Sequence, residues 1–181
     1  MCGSFCTHKK SLGVLASLIE EGRDICPIVS ERVWETDTRF GTAEQLRGKL
    51  RSMCGREAIH TVAEAEPLGP ALPLDFLVIC PCTGNTLAKL ACGITDSAVT
   101  MAAKAHMRSS RPLLIALATN DAMSSNLSNI ASLLMRKNVY FVPMMQDSPK
   151  DKPHSLVADF SLVLPAVHAL TEGRQIRPLF I

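Results

Sequence analysis

The stretch Phe76–Cys80 (FLVIC) runs directly into Pro81–Thr86 (PCTGNT), and this junction decides the fold. The first five residues form an unbroken apolar run, which is typical of a strand buried on both faces of a parallel sheet. The next six residues form a turn that is rich in hydroxyl and amide side chains, and a helix is predicted over Leu87–Cys92. A strand, a polar turn and a helix in this order predict one unit of an α/β fold.

The same order of elements is repeated further along the chain. Pro112–Ala118 (PLLIALA) predicts a second buried strand, Thr119–Asp121 (TND) a polar turn, and Ser125–Arg136 a helix. Val139–Val142 predicts a last strand, which Pro143 ends because proline has no amide hydrogen to donate. Two such units in succession predict a parallel sheet with helices on both faces.

Apolar periodicity and capping residues predict the other elements. The helices are expected at Ser11–Glu21, Glu31–Trp34, Thr42–Met53, Ser97–Met107 and Leu162–Glu172, and the strands at Asp24–Val29 and Ala58–Val62. The alternation of strands and helices predicts an open α/β sheet in one domain that spans residues 1–181.

The start of the chain is unusual for this class of fold. Met1–Ser4 (MCGS) leads straight into a helix, whereas a glycine-serine turn before a helix normally follows a strand. We therefore expect the first strand of the sheet to be missing from the start of the chain, unless something else fills that position in the sheet.

The composition of the chain argues against several classes of partner and site. The 181 residues carry a net charge of +2, which is too small to indicate a nucleic-acid or membrane partner. The seven cysteines are odd in number and lack metal-ligand spacing, which favours free thiols in a reducing cytoplasm over disulfides or a metal site. No signal peptide or apolar segment of membrane-spanning length, about 20 residues, is recognisable.

Polar turns stand at three places where a strand of the sheet ends or is expected to end, and they suggest a ligand site. They are Gly3–Thr7, Cys82–Thr86 and Thr119–Asp121, and Ser30 is a fourth candidate. In open parallel sheets, ligands bind at the carboxyl ends of the strands, where small residues and helix N-termini suit a phosphate. The alternative is that these hydroxyl and amide side chains only cap helices.

Three common fingerprints are absent from the sequence: GxGxxG, GxxxxGK[ST] and GxSxG. A dinucleotide bound in the usual manner, a P-loop nucleotide and a hydrolase nucleophile are therefore not expected. A mononucleotide phosphate, such as that of FMN, suits the shorter turns.

One of the turns resembles a motif of the flavin-containing cysteine decarboxylases and their relatives. Pro81–Lys89 (PCTGNTLAK) is similar to the Pro-Ala-Ser-Ala-Asn-Thr segment that borders the FMN in that family. Pro81, Asn85 and Thr86 match directly, and Thr83 stands in place of the serine. The resemblance implies a flavodoxin-like or Rossmann-like fold and FMN as a cofactor.

The remaining turns extend the resemblance. Thr119–Met123 is similar to the second family motif, Pro-x-Met-Asn-x-x-Met, with Asn120 and Met123 matching. Gly3-Ser4 resembles the first FMN-contacting turn, and Ser30 stands where a hydroxyl residue follows the second strand. The residues that the resemblance assigns to the cofactor are Gly3, Ser4, Ser30, Thr83, Gly84, Asn85 and Thr86.

One branch of these proteins, the B subunits of dipicolinate synthases from spore-forming bacteria, resembles nearly the whole chain. The matching stretches are Gly3–Thr7, Thr36–Gly41, Ala63–Pro70, Asn85–Ala91, Thr100–Ala105, Thr119–Asp121 and Ser155–Asp159. The resemblance implies formation of dipicolinate from a dihydrodipicolinate-type precursor in the mother-cell cytoplasm during sporulation. It also implies a partner A subunit that binds NADP or NAD, and a homo-oligomer.

The histidine that acts in the decarboxylases has no clear counterpart here. The corresponding neighbourhood reads Ala63-Glu64-Ala65-Glu66, and His60 is close but does not align well. Two alternatives to the synthase subunit stay open: a flavin-dependent decarboxylase of the wider family, and a non-catalytic subunit that only stabilises its partner.

Oxidation of a cyclic dicarboxylate to an aromatic ring needs cations for two carboxylates, a base and a hydride acceptor. Glu64 and Glu66 are the candidate bases, and Asn120 is a candidate hydrogen-bonding residue towards substrate or flavin. For each charged residue the alternative is an ordinary solvated surface position. The candidate cations for the substrate are Arg39, which lies in a turn, together with Lys104 and His106.

Overall fold

A sheet built around one fully buried strand forms the centre of the molecule, whose computed structural model describes residues 1–69 and 71–181. The strands are β1 (Leu77–Cys82), β2 (Leu113–Thr119), β3 (Val139–Phe141), β4 (Met144–Met145) and β5 (Leu156–Ala158). In β2, every residue from 113 to 117 is 0% exposed, which confirms a strand covered on both faces.

The sheet is mixed, not purely parallel. Strand β2 pairs in parallel with β1 and with β3. Its last residues, Ala118 and Thr119, pair antiparallel with β5, which in turn pairs antiparallel with β4. The prediction of a parallel sheet is therefore correct for the centre and wrong for the edge, where two short strands were not foreseen.

Helices cover both faces of the sheet, as predicted. They are α1 (His8–Glu20), α2 (Glu31–Glu35), α3 (Ala43–Cys54), α4 (Val62–Ala65), α5 (Gly84–Cys92), α6 (Ala98–Met107), α7 (Leu127–Leu134) and α8 (Val163–Thr171). One face of β2 packs Leu114 and Ala116 against α1 and α8, and the other face packs against α5, α6 and α7. Within residues 1–69 and 71–181, no helix is long and apolar enough to cross a bilayer.

The sheet continues beyond β1 through single residues instead of full strands. Ile28 and Ile59 form an isolated parallel bridge where strands were predicted over Asp24–Val29 and Ala58–Val62. Met1 lies between this bridge and β1: its ammonium group donates to the Ile28 carbonyl at 2.6 Å. Cys2 donates its amide hydrogen to the Pro81 carbonyl at 3.1 Å. The position at which a first strand is expected thus holds Met1 and Cys2.

The helix predicted over Thr42–Met53 is present as α3. Thr42 is its N-cap, and Thr42 and Gln45 form a reciprocal capping box. All seven cysteines are free thiols.

Pro70, the last residue of the stretch Ala63–Pro70 that resembles the dipicolinate synthase B subunits, lies outside the described residues.

Candidate functional site

The three polar turns and Ser30 lie along one edge of the sheet, which we call the rim. Ser30 follows the Ile28 bridge, Gly3–Thr7 follows Met1 and Cys2, Thr83 follows β1, and Asn120 follows β2. Because the Ile28 bridge, β1 and β2 are parallel, their carboxyl ends meet at the same edge. The rim defined by these turns is therefore the candidate site.

Gly84 brings two turns of the rim into direct contact. A Cβ atom built on Gly84 would lie 2.6 Å from Thr119 Oγ1 and 2.7 Å from Asp121 Oδ1. It would also lie 2.7 Å from Asn126 Nδ2, closer than carbon and nitrogen atoms can approach without a bond. Only glycine fits here, so the Thr83–Thr86 and Thr119–Asp121 turns touch through its bare backbone.

Asp121 organises the turn that follows β2. Its Oδ1 atom accepts from the Thr119 hydroxyl at 2.5 Å, and its Oδ2 atom accepts from Asn126 Nδ2 at 2.9 Å. Asn126 is 4% exposed, so this network is mostly shielded from water. Asp121 ends one of the predicted polar turns, but neither Asp121 nor Asn126 was predicted as a site residue, since an Asx residue in a turn is common.

The turn after β1 is held by its own hydroxyl groups. The Thr83 hydroxyl accepts from the Thr86 amide at 3.3 Å and donates to the Thr86 hydroxyl at 3.0 Å. The Thr86 hydroxyl then donates to Cys2 Sγ at 3.3 Å, which ties this turn to the neighbouring one. Thr83 therefore caps α5, which is the alternative role that the sequence left open for these hydroxyl residues. The amide hydrogens of Gly84 and Asn85, at the start of α5, have no acceptor within the helix.

The serine hydroxyls of the rim do not cap the helices they precede. Ser4 precedes the 3-10 turn Phe5–Thr7 and Ser30 precedes α2, and neither side chain forms a capping hydrogen bond. The backbone around Ser4 is nevertheless ordered, because the Thr7 amide and hydroxyl both donate to the Ser4 carbonyl, at 3.0 and 2.8 Å. The two hydroxyls remain free to bind a ligand.

The donors on the rim fit the polar parts of a flavin mononucleotide. The fit rests on the free hydroxyls of Ser4 and Ser30, the first amide hydrogens of α5, and the exposed side chain of Asn85. Gly84 lacks a Cβ, and this lets the turns after β1 and β2 pack against each other beside these donors. Such uncharged donors at helix N-termini are the groups that hold a phosphate or a ring amide in proteins.

Of the two candidate bases, Glu64 has a structural task. Its Oε2 atom accepts from the His60 and Thr61 amides at 3.1 and 3.0 Å, which completes a capping box at the start of α4. These backbone hydrogen bonds lower the pKa of Glu64 because they stabilise its ionised form. Glu66, at the end of α4, is exposed to solvent and keeps a free carboxylate for other partners.

The candidate cations differ in their surroundings. Arg39 is exposed in the turn 38–41, with its guanidinium 4.9 Å from the centre of the Phe40 ring. Lys104 is exposed in the last turn of α6. This end of the helix lies away from the rim. Both are accessible to an anion, and only Arg39 lies in a turn.

The expectation that His106 faces a substrate is corrected by its burial. Its side chain is 0% exposed, and Nε2 contacts the Pro112 carbonyl at 2.9 Å, at the amino end of β2. Burial lowers the pKa of His106, because the charged imidazolium would lose its hydration. The residue therefore belongs to the core at the far end of the sheet from the rim.

His60 packs against an aromatic ring near the rim. Its imidazole stacks on Trp34 with ring centroids 3.7 Å apart and an interplanar angle of 11°. The Arg47 guanidinium lies 4.7 Å from the centre of the Trp34 ring. The sequence did not predict this stack. It engages the imidazole of His60, the residue nearest in sequence to the position of the decarboxylase histidine.

Comparisons with known proteins agree with this architecture. The Flavoprotein family model matches residues 3–162. The B subunit of dipicolinate synthase from Bacillus subtilis (strain 168) is 40% identical over 181 residues, which is 100% of this chain and 90% of that protein. The crystal structure of the dipicolinate synthase B subunit from Bacillus halodurans has a TM-score of 0.90 and 39% identity, covering 99% of this chain and 92% of that one.

A more distant structure shares the fold alone. The FMN-dependent cysteine decarboxylase SpaF has a TM-score of 0.67 at 23% identity, over 95% of this chain and 93% of that chain. The resemblance read from the polar turns is thereby confirmed, as is the flavodoxin-like architecture. The chain belongs to the Flavoprotein family, within which it groups with the B subunits of dipicolinate synthases.

Proposed function

We propose that this chain is the B subunit of a dipicolinate synthase that works with a second subunit during sporulation. In the proposed reaction, a dihydropyridine dicarboxylate loses a hydride and a proton, and NADP⁺ held by the A subunit accepts the hydride to give NADPH. The full-length 40% identity to a protein of that name carries the proposal. The contact between two polar turns at Gly84 supports it, because it gathers their hydroxyl and amide groups at one edge of the sheet.

The rim is the proposed binding site for FMN. Ser4 and Ser30 would hold it through their free hydroxyls, and Gly84 and Asn85 through amide hydrogens at the start of α5. Gly3, Thr83 and Thr86 would shape the turns around it. When bound, a flavin would supply reversible hydride-transfer chemistry.

The proposed substrate contacts come from the solvent-exposed residues Arg39, Asn120 and Glu66. Arg39 is suited to a carboxylate, since its planar guanidinium can donate two parallel hydrogen bonds. Asn120 is exposed beside the Asp121 network, which fixes the backbone that carries it. Glu66 is the proposed base, because its carboxylate is free of the capping contacts that occupy Glu64. Lys104 has no such neighbour on the rim and is left out of the proposed site.

A reconstitution assay tests the proposed reaction. The chain is mixed with an A subunit, a dihydrodipicolinate-type substrate and NADP⁺, and the ultraviolet absorbance of dipicolinate is followed. We expect product only when both chains are present. Full activity of the A subunit alone would refute a catalytic or activating role for this chain.

A flavin assay separates the proposed cofactor site from the reaction. The protein is purified with its partner, denatured, and its supernatant examined for FMN fluorescence. We expect Gly84→Val to abolish flavin retention, because a branched side chain would occupy the space of Thr119 and Asp121. The matched control Gly48→Val replaces a helical glycine that has nothing within 4 Å, and it should retain the flavin.

The alternatives give different results in the same assays. A flavin-free protein that still raises the activity of the A subunit would indicate a non-catalytic stabilising subunit. Release of carbon dioxide from a peptidyl or pantothenoyl cysteine would indicate a decarboxylase, although the His60–Trp34 stack disfavours it.

A further inference from the structure

A cavity between three helices lies at the end of α6 that is away from the rim. Its volume is about 370 Å³, and it is lined by the end of α5, one face of α6 and the residue that follows the end of α7. Three of the lining side chains are cations, namely Lys104, Arg108 and Arg136, and the others are apolar or uncharged. The cavity therefore combines positive charge with an apolar lining.

The positive charges of this cavity have no carboxylate partner. None of the lining residues is Asp or Glu. Within residues 1–69 and 71–181, no salt bridge involves Lys104, Arg108 or Arg136. The acidic residue that stands closest in sequence to the lining is Asp96, and both of its carboxylate oxygens accept from Lys89 at 2.8 Å. The cavity thus gathers three unpaired cations in a chain whose net charge is only +2.

Helix capping explains only part of this arrangement. The Arg136 guanidinium donates to the Leu90 and Ala91 carbonyls at 3.1 and 2.6 Å, near the end of α5. Cations in the last turn of a helix also interact favourably with its dipole. However, Lys104 and Arg108 lie one turn apart on the same face of α6, where like charges repel each other. A like-charged pair that lines a cavity beside a third cation indicates a binding site for an anion.

The uncharged part of the lining indicates that the anion carries an apolar body. Leu90 is buried and Met107 packs against the core, so both present fixed apolar surface. Ile94 also lines the cavity, and it is 46% exposed although it is a large apolar side chain. A ligand that covers Ile94 would remove apolar surface from water, which favours binding. An inorganic anion cannot provide this contact.

We propose that this cavity binds a small organic dianion with an aromatic or other apolar body. One anionic group lies at Lys104 and Arg108, and the other lies at Arg136, whose guanidinium is held in place by the α5 carbonyls. A guanidinium has more N–H groups than these two contacts use, so Arg136 can still donate to the ligand. A volume of about 370 Å³ is within the usual range of small-molecule sites. The site is separate from the rim and independent of the proposed function.

Calorimetric titration of the full chain with phthalate, an aromatic dicarboxylate, tests the proposal at low ionic strength. We expect Lys104→Ala and Arg108→Ala each to raise the Kd by roughly tenfold or more, because each removes a charged donor to the anion. Both side chains are exposed, so both variants should fold. The matched control Lys49→Ala removes an exposed lysine from α3 and should keep the affinity. Equal Kd values for the three variants, or no binding to the unmodified chain, would overturn the proposal.

Further measurements locate the anion and separate its charge from its apolar body. Benzoate has the ring with one charge, and inorganic phosphate has charge without a ring, so both should bind roughly tenfold or more weakly than phthalate. Equal affinity for either probe would refute a site for a dianion with an apolar body. In methyl NMR spectra, phthalate should shift Ile94 and leave the equally exposed Ile181 unchanged. Arg39→Ala should not alter the Kd, and a loss of affinity in this variant would place the anion at the turn 38–41 and overturn the proposal.

Discussion

Replacement of Gly84 by alanine tests the contact on which the rim depends. The added Cβ would lie 2.6 Å from Thr119 Oγ1 and 2.7 Å from both Asp121 Oδ1 and Asn126 Nδ2. None of these atoms can move alone, because Asp121 accepts hydrogen bonds from both Thr119 and Asn126. The substitution must therefore either push the two turns apart or break the Asp121 network.

The expected loss of stability follows from these two routes. Forcing an extra carbon into a packed site costs about 1–3 kcal/mol, and losing one hydrogen bond to a carboxylate costs about 1.5–3 kcal/mol. Alanine at the start of α5 returns less than about 1 kcal/mol of helix propensity. Because either route suffices, we expect a net loss of about 2 kcal/mol in the free energy of unfolding, which lowers the thermal midpoint by roughly 4–8 °C.

Urea and thermal unfolding of matched variants measure this loss. Gly48→Ala is the control: Gly48 lies within α3 with nothing within 4 Å, and alanine there should stabilise by about 0.5–1 kcal/mol. Thr119→Ala removes the nearest obstructing atom, so the double variant with Gly84→Ala should lose less than the sum of the two single variants. If Gly84→Ala proves as stable as Gly48→Ala, the two turns do not touch as described.

Four other perturbations have defined outcomes. Burial lowers the pKa of both His8 and His106. The free energy of unfolding should therefore be highest above the ordinary histidine pKa of 6.5 and should fall as the pH drops below it. In His106→Gln, the urea midpoint should fall less between about pH 7 and pH 5 than it does in the unmodified chain. Native thiol labelling should modify the exposed Cys6 and Cys92 quickly, whereas Cys80, whose pKa burial raises to about 11, should react only on unfolding. Glu64→Gln should keep the α4 cap and leave the thermal midpoint nearly unchanged, whereas Glu64→Ala should cost about 1 kcal/mol. Arg39→Ala should raise the KM for a dicarboxylate substrate in the reconstitution assay, and Arg39→Lys should restore only part of it, because lysine lacks the planar pair of donors.

The central sheet was predictable because each of its two long strands is recognisable from its own apolar sequence. The runs FLVIC and PLLIALA can only be stable when both faces are covered, and β1 and β2 lie there within two residues of the predicted ends. The helix predicted over Thr42–Met53 is likewise present, and its start is fixed locally by the capping box of Thr42 and Gln45. The short antiparallel pair β4 and β5 was missed, since strands of two and three residues have too few positions to display a period.

The site was predictable in kind but not in its contacts. Polar turns after buried strands indicate a ligand edge, and the family motifs placed Thr83, Asn85 and Asn120 on it. The sequence does not reveal that Gly84 is irreplaceable, because this depends on Asp121 and Asn126, which lie more than 30 positions away in the chain. His106 was misread for the same reason: its burial depends on its contact with the Pro112 carbonyl and on the packing of α6, not on a charged pattern.

The two weakest strand predictions have a common physical cause. Asp24–Val29 and Ala58–Val62 have apolar residues at the right places, yet they pair only at Ile28 and Ile59. A parallel strand needs hydrogen-bonding neighbours along its length, but an apolar cavity of about 530 Å³ lies between residues 25–28 and 77–80, with only Met1 above it.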